Sequence, residues 1–454
     1  MKPILKEIYT NLDVFDIYSI FKDSKNSILL ESGLNQGGLG RYSYIGINPF
    51  CTFKWQDGLG ELDGVKFKVD GVKYLAELLE QYKFENTGKM PFISGAIGYF
   101  SYDFARSIEE IPSLNKKDVD IPQCYYNFYD NIIIIDHEEK KTYISACGQL
   151  SPKEKSISII ENEILNSKKV KYSVYPAYAE SKVKFVPNFT KDKYIKTLKK
   201  VRQYIEDGDI YIMNLTQSFK VDTKKTPYET YKKLRYINPA PFSAYMNLDK
   251  FAVVSSSPEQ FLKIENRIAQ TRPIKGTSPR GETPAQDNKN KLELLASEKE
   301  KAELLMIVDL ERNDLSKVCK PNSVKVKSLY ELEKYSTVYH LSSTIVGELK
   351  DEFSSMDCIK ACYPGGSITG APKIRSMEII EELEPTMRNI YTGCIGYLGF
   401  DGNVELNIVI RTILMKDNKA YFGVGGGITF KSKEEAEYEE TLIKAKALMV
   451  ALDK

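Results

Sequence analysis

At 454 residues the chain is long enough for about two to three domains, or for one large catalytic core with an added segment. Charge is nearly balanced, 64 basic against 62 acidic residues without a long block of one sign, which argues against nucleic acid and for a small-molecule partner. Seven scattered cysteines with no C-x-x-C pair read as reduced thiols; two histidines, His137 and His340, are too few for a histidine-rich metal centre, so any metal must be held by oxygen.

Met1 to Phe15 carries Lys2, Lys6, Glu7 and Asp13 and so lacks an apolar signal core, and the longest apolar run, Ile132 to Ile135, is far too short to cross a bilayer. A cytoplasmic protein without membrane contact is expected. Residues 1–150 alternate strand-like runs, such as Ser27 to Leu30 and Asn131 to Ile135, with turns, and the glycine cluster from Gly33 to Gly40 reads as a hairpin tip. Residues 151–187 read as a helix followed by a connector containing Pro176 and Pro187. From residue 188 to 454 the periodicity sharpens. It predicts a helix over Tyr194 to Ile205, strands over Tyr211 to Phe219 and over Phe251 to Ile264, the latter interrupted by the turn Ser256 to Glu259, and helices over Lys289 to Leu310 and Ser355 to Cys362. Strands Cys394 to Phe400, Val404 to Met415 and Ala420 to Val424 then form a meander, and a last helix starts at a capping box of Ser432 and Glu435 and runs to Leu452. Antiparallel sheet with long helices places the chain in the α+β class.

Three groups of residues carry chemistry. Lys275 lies in the pentad Pro273-Ile274-Lys275-Gly276-Thr277, where proline fixes the backbone and glycine permits close approach, so the amine is presented as a nucleophile requires; a solvated loop lysine is the plainer alternative. Glu437 and Glu440 share one face of the last helix, while Leu442, Ile443, Ala447, Leu448 and Ala451 supply much of its apolar burial. Glu303 and Asp309 stand among Leu305, Met306, Val308 and Leu310, embedded in apolar sequence. Paired carboxylates suit Mg²⁺, a hard cation that completes its shell with substrate oxygens; helix salt bridges such as Glu440 with Lys444 are the competing reading.

These residues resemble the chorismate-utilising enzymes, and within them the component I branch of aminodeoxychorismate synthase. The matching blocks are Ser257-Pro258-Glu259, the Lys275 pentad with Pro279-Arg280-Gly281, the run from Glu303 to Asp314, His340-Leu-Ser-Ser, Pro364 to Lys373, Tyr391 to Tyr397, Ile410-Arg411-Thr412, Gly425 to Gly427 and Glu437 to Thr441. The N-terminal third matches through Leu29 to Ser32 and Gly40 to Gly46, which resemble the region shared with anthranilate synthase component I.

The resemblance implies large antiparallel sheets packed as an orthogonal β-sandwich with helices outside. It implies a site that converts chorismate and ammonia to 4-amino-4-deoxychorismate, the precursor of 4-aminobenzoate and folate, with ammonia from a separate glutamine amidotransferase subunit. Mg²⁺ is expected on Glu303 and Glu440, with Glu437 nearby through water. Lys275 is expected to add to ring carbon C2, Glu259 to protonate the departing C4 hydroxyl, and His340 to orient the reacting groups. Gly276, Thr277, Ser367, Tyr391, Arg411, Gly425, Gly426, Gly427 and Lys444 are expected to line the substrate, with Arg411 on the enolpyruvyl carboxylate. Members that make anthranilate carry alanine at the Lys275 position, and water-using relatives carry a lysine base where this chain has Ile212. A tryptophan pocket is expected among Ser32, Arg41, Tyr211 and Pro239. Anthranilate synthase component I, and a non-catalytic tryptophan-binding subunit, are the alternative readings.

Overall fold

Two long strands, Tyr42–Gln56 and Cys124–Asp136, organise the molecule. They pair antiparallel along their whole length, but the register slips between Pro49 and Cys51, next to Asn48 at φ 56°. Proline has no N–H for the ladder, and such a bulge bends a strand pair sharply, so the two halves of the pair serve different sheets. The computed structural model in which this is seen describes residues 2–33, 39–170, 175, 183–335 and 338–453. Most of the Gly33 to Gly40 cluster and half of the 166–187 connector, Pro176 included, fall outside the described residues.

One half of the pair continues into Ile28–Glu31 and then through Phe242–Asn247, Ala252–Ser257, Thr412–Lys416 and Lys419–Ile428 to Ile212–Asp222. The other half continues through Gly95–Phe100, Cys394–Gly399, Val404–Asn407, Gln260–Glu265 and Ile268–Arg272 to Val338–Glu348, which is flanked by Ile274–Pro279 and Lys325–Lys334. Every one of these pairings is antiparallel, and strands from residues 1–150 interleave with strands from residues 188–454 in both sheets.

Period-two alternation sorts the side chains into layers. Tyr44, Ile97, Tyr99, Tyr125, Ile132, Ile134, Met246, Ile395 and Tyr397 fill the space between the sheets. The back of the first sheet is covered by helices Val14–Phe21, Lys153–Leu165, Pro227–Ile237 and Glu434–Leu452. The back of the second is covered by Gly71–Gln81, Glu298–Val318 and Ser355–Cys362. The result is the expected α+β sandwich with helices outside, built in the manner of orthogonal packings in which corner strands switch sheets.

Several local expectations need correction. The helix read over Lys289 to Leu310 is two helices, Pro284–Ala296 and Glu298–Val318, parted at Ser297, whose side chain caps the second by accepting from Glu300 N. The Ser432–Glu435 capping box is not formed: the last helix begins at Glu434, and Ser432 Oγ instead accepts from Thr429 N at 3.1 Å. Ile443 is 73% exposed, whereas Leu448 and Ala451 are buried as expected. Asp309 is not embedded but pairs at the surface with Arg312 at 2.9 Å.

Candidate active site

Lys275 lies on a strand, not in a loop. Ile274–Pro279 pairs with Val338–Glu348, and the register slips between Lys275 and Thr277 at Gly276, whose φ of 76° belongs to the left-handed region. Glycine there costs little, and a Cβ would stand 3.1 Å from atoms of Glu300 and Leu294. The bulge re-aims the lysine. Its Nζ donates to the carbonyl of Ser367 at 2.8 Å, in the short turn Gly366–Ile368. Opposite, a Cβ placed on Gly427 would lie 3.6 Å from Lys275 Nζ, 3.6 Å from Glu303 Oε2 and 3.3 Å from Ile212 Cδ1. Amine, carboxylate and an apolar wall thus converge over bare glycine backbone.

Two helices bring acids to the same glycines. A Cβ on Gly426 would stand 3.4 Å from Glu437 Oε2, 3.8 Å from Lys444 Nζ and 3.9 Å from Glu440 Oε1. Lys444 donates to the Gly425 carbonyl at 2.9 Å and pairs with Glu440 at 2.6 Å. Glu303 is buried, and its Oε1 has no hydrogen-bond partner among the described residues. Burial pushes Glu303 up to about 7, against the pull of Lys275 and Lys299 and with the push of Glu300 and Glu437. Burial acts the same way on Glu440, but the adjacent Lys444 ammonium outweighs it and holds that carboxyl below its ordinary range. Among the described residues no three acidic, cysteine or histidine side chains are grouped closely enough to enclose a metal ion. The donor set is nonetheless all oxygen, and the unsatisfied Glu303 oxygen suits a hard cation.

The remaining expected residues frame the other side. The strand read over Val404 to Met415 breaks between Asn407 and Thr412, and Arg411 sits in the break at φ 52°. Its guanidinium makes no hydrogen bond or ion pair among the described residues, and burial lowers its proton affinity. The Tyr391 ring packs against Gly423, where a Cβ would come within 2.3 Å of it. Glu259 is buried; its Oε1 accepts from Ile274 N at 3.2 Å, and burial raises its carboxyl despite Ser367 and Lys275. His340 Nδ1 is 2.9 Å from Thr277 Oγ1, and burial together with the Arg411 cation brings it down to about 3, so the ring is neutral.

The four tryptophan-pocket residues do not all assemble. Ser32 Oγ donates to Tyr42 O at 2.7 Å and shares a cavity of about 590 Å³ with Arg41 and another of about 390 Å³ with Pro239. Arg41 pairs with Asp136 at 2.7 Å. Tyr211 lies elsewhere, 66% exposed, with its N–H bonded to Ala371 O beside the Lys275 side of the molecule.

Three participants were not anticipated. Glu300 and Lys299 flank the acids, and the three-residue spacing of Glu300 and Glu303 is a signal that could have found the first. Arg388, whose guanidinium ties Asn214 O, Ile368 O and Glu384 together, left no trace in the periodicity because it follows a helix end.

Residues 27–450 match the family of chorismate binding enzymes. The chain is 37% identical to anthranilate synthase component 1 of Acetivibrio thermocellus, across 99% of this chain and 95% of that one. It is 36% identical to aminodeoxychorismate synthase component 1 of Bacillus subtilis (strain 168), across 100% and 97%. The crystal structure of anthranilate synthase component I from Streptococcus pneumoniae TIGR4 superposes with a TM-score of 0.80 at 30% identity, covering 92% of this chain and 94% of that one. A cleft in which lysine, arginine and acids meet over a glycine backbone, on a fold and sequence matched nearly end to end, makes this chain a member of the chorismate binding enzyme family.

Proposed function

We propose that this chain is an aminodeoxychorismate synthase component I, which converts chorismate and ammonia to 4-amino-4-deoxychorismate for 4-aminobenzoate and folate synthesis. Similarity to anthranilate-forming and aminodeoxychorismate-forming relatives is nearly equal, so overall identity does not choose between them. The observation that carries the choice is Lys275, turned by the Gly276 bulge into the cleft with its amine 2.8 Å from Ser367 O.

Each residue has work that its position suits. Arg411, with unspent donors, takes the enolpyruvyl carboxylate as a two-pronged partner. Glu303 and Glu440, with Glu437 alongside, would hold Mg²⁺, which would supply Lewis-acid withdrawal of charge from the diene. The lone pair of the Lys275 amine adds to C2 of the ring; the two double bonds shift and the C4 hydroxyl leaves as water with a proton from Glu259. Burial of Glu259 favours the protonated form this step needs. Ammonia then adds at C4 and gives a proton back to the Glu259 carboxylate, the double bonds shift back, and the lysine departs from C2 as the amine, regenerating the diene. Neutral His340, anchored by Thr277, orients without adding charge. Ile212, against Gly427, offers no group that could activate water. A glutamine amidotransferase subunit supplies the ammonia.

The test is product analysis with chorismate, Mg²⁺ and ammonium chloride. The wild-type chain is expected to form 4-amino-4-deoxychorismate, and Lys275→Ala to lose that product. Anthranilate released by the wild-type chain alone would assign it to the anthranilate-forming branch instead.

A further inference from the structure

Lys299 stands where the positive charge of a bound ion belongs. Helix Glu298–Val318 contributes Glu300 and Glu303, and helix Glu434–Leu452 contributes Glu437 and Glu440, so four carboxyls face one cleft. Of the nearby amines, Lys275 is held by Ser367 O, and Lys444 by Gly425 O and Glu440. Lys299 alone among the described lysines bridges the two helices' acids, with Nζ 3.4 Å from Glu437 Oε1 and 3.7 Å from Glu303 Oε1.

Both distances exceed the 2.7–2.9 Å of a tight charge-assisted hydrogen bond, so the ammonium neutralises these acids without being locked to them. Its side chain is 37% exposed, and a flexible four-carbon stem lets such a charge swing into water at little cost. Glu303 Oε1, buried and without a hydrogen bond, is left open to a second electrophile. A divalent ion at that oxygen and an ammonium beside it repel each other, so one must yield.

We propose that Lys299 is the protein's own counter-ion for the metal-binding acids: it neutralises Glu303 and Glu437 when no divalent ion is bound and withdraws when one binds. This rests on the reading of those acids as Mg²⁺ ligands. Lys299 is thus a competitor of the metal, and it sets how much free Mg²⁺ is needed to fill the site.

Calorimetric titration of the full chain with MgCl₂ alone, and thermal melts in EDTA and in MgCl₂, test this without any turnover assay. Lys299→Met keeps the stem and removes the charge. It is expected to bind Mg²⁺ at least about fivefold more tightly than wild type, to melt lower in EDTA, and to recover in MgCl₂. Lys299→Arg is expected to bind like wild type, and Lys299→Gln repeats the charge removal should the methionine variant fold poorly. Unchanged or weaker Mg²⁺ binding by the uncharged variants, with normal binding by wild type, overturns the proposal and leaves the metal site standing. No Mg²⁺ binding by wild type overturns the metal-site reading and the proposal with it.

Discussion

Replacing Arg388 with methionine strikes the scaffold behind the site and not the site itself. The guanidinium donates to both oxygens of Glu384 at 2.9 and 2.7 Å, to Ile368 O at 2.7 Å and to Asn214 O at 2.7 Å, and both side chains are only 2% exposed. Removing it strands the Glu384 carboxylate, which would keep only the Thr216 N–H at 2.9 Å, in a buried position. Breaking one partner of such a pair costs about 3–5 kcal/mol. Adding Glu384→Gln to the variant removes the stranded charge and is expected to recover about 1–3 kcal/mol. Equilibrium denaturation in urea, followed through the single tryptophan, Trp55, and by circular dichroism, reads these values. Ile368 adjoins Ser367, whose carbonyl holds Lys275, so turnover is expected to fall even where the variant is fully folded. A loss below about 1 kcal/mol with unchanged turnover would refute the reasoning.

Glu311, buried and hydrogen-bonded by Thr271 at 2.5 Å, is pushed up to about 8, chiefly by burial. A carboxyl whose folded value lies above its unfolded one supports the fold fully below the unfolded value and loses that support as pH rises through the folded value. Stability is therefore expected to decline between about pH 5 and 8 by up to ~1.4 kcal/mol per pH unit, and Glu311→Gln to flatten the decline in melts at pH 5.5 and 8.5; parallel profiles would count against it. Arg411→Lys, which loses the planar fork, is expected to raise KM for chorismate at least about tenfold with little change in melting temperature; an unchanged KM removes Arg411 from substrate binding. Glu303→Gln is expected to abolish Mg²⁺ binding in calorimetry, whereas Glu434→Gln, which pairs with Arg202 at 2.9 Å, leaves it intact; equal effects would reduce Glu303 to a helix-face residue.

Much of the fold was legible because periodicity and turn chemistry are local. The helical spacing of Ser355 to Cys362 matches the observed helix end to end, and of the turn expected at Ser256 to Glu259 only Pro258 and Glu259 part Ala252–Ser257 from Gln260–Glu265. What failed depended on distant partners. The proline and glycine of the Lys275 pentad carry no strand signal, yet pairing with Val338–Glu348 makes it a bulged strand. Val404 to Met415 reads as one strand, and only the fold reveals the break that projects Arg411. Lys299 and Arg388 matter through atoms hundreds of ångströms apart along an extended chain, which no window of sequence contains.

Because Tyr42–Gln56 and Cys124–Asp136 run unbroken from one sheet into the other, the two walls of the cleft are stitched along a common seam. They cannot swing apart like jaws without tearing the ladder. Admission of a ligand must therefore be managed by elements carried on the outside, such as Pro284–Ala296 and the strand edge at Ile274–Pro279, while the glycine floor beneath stays fixed.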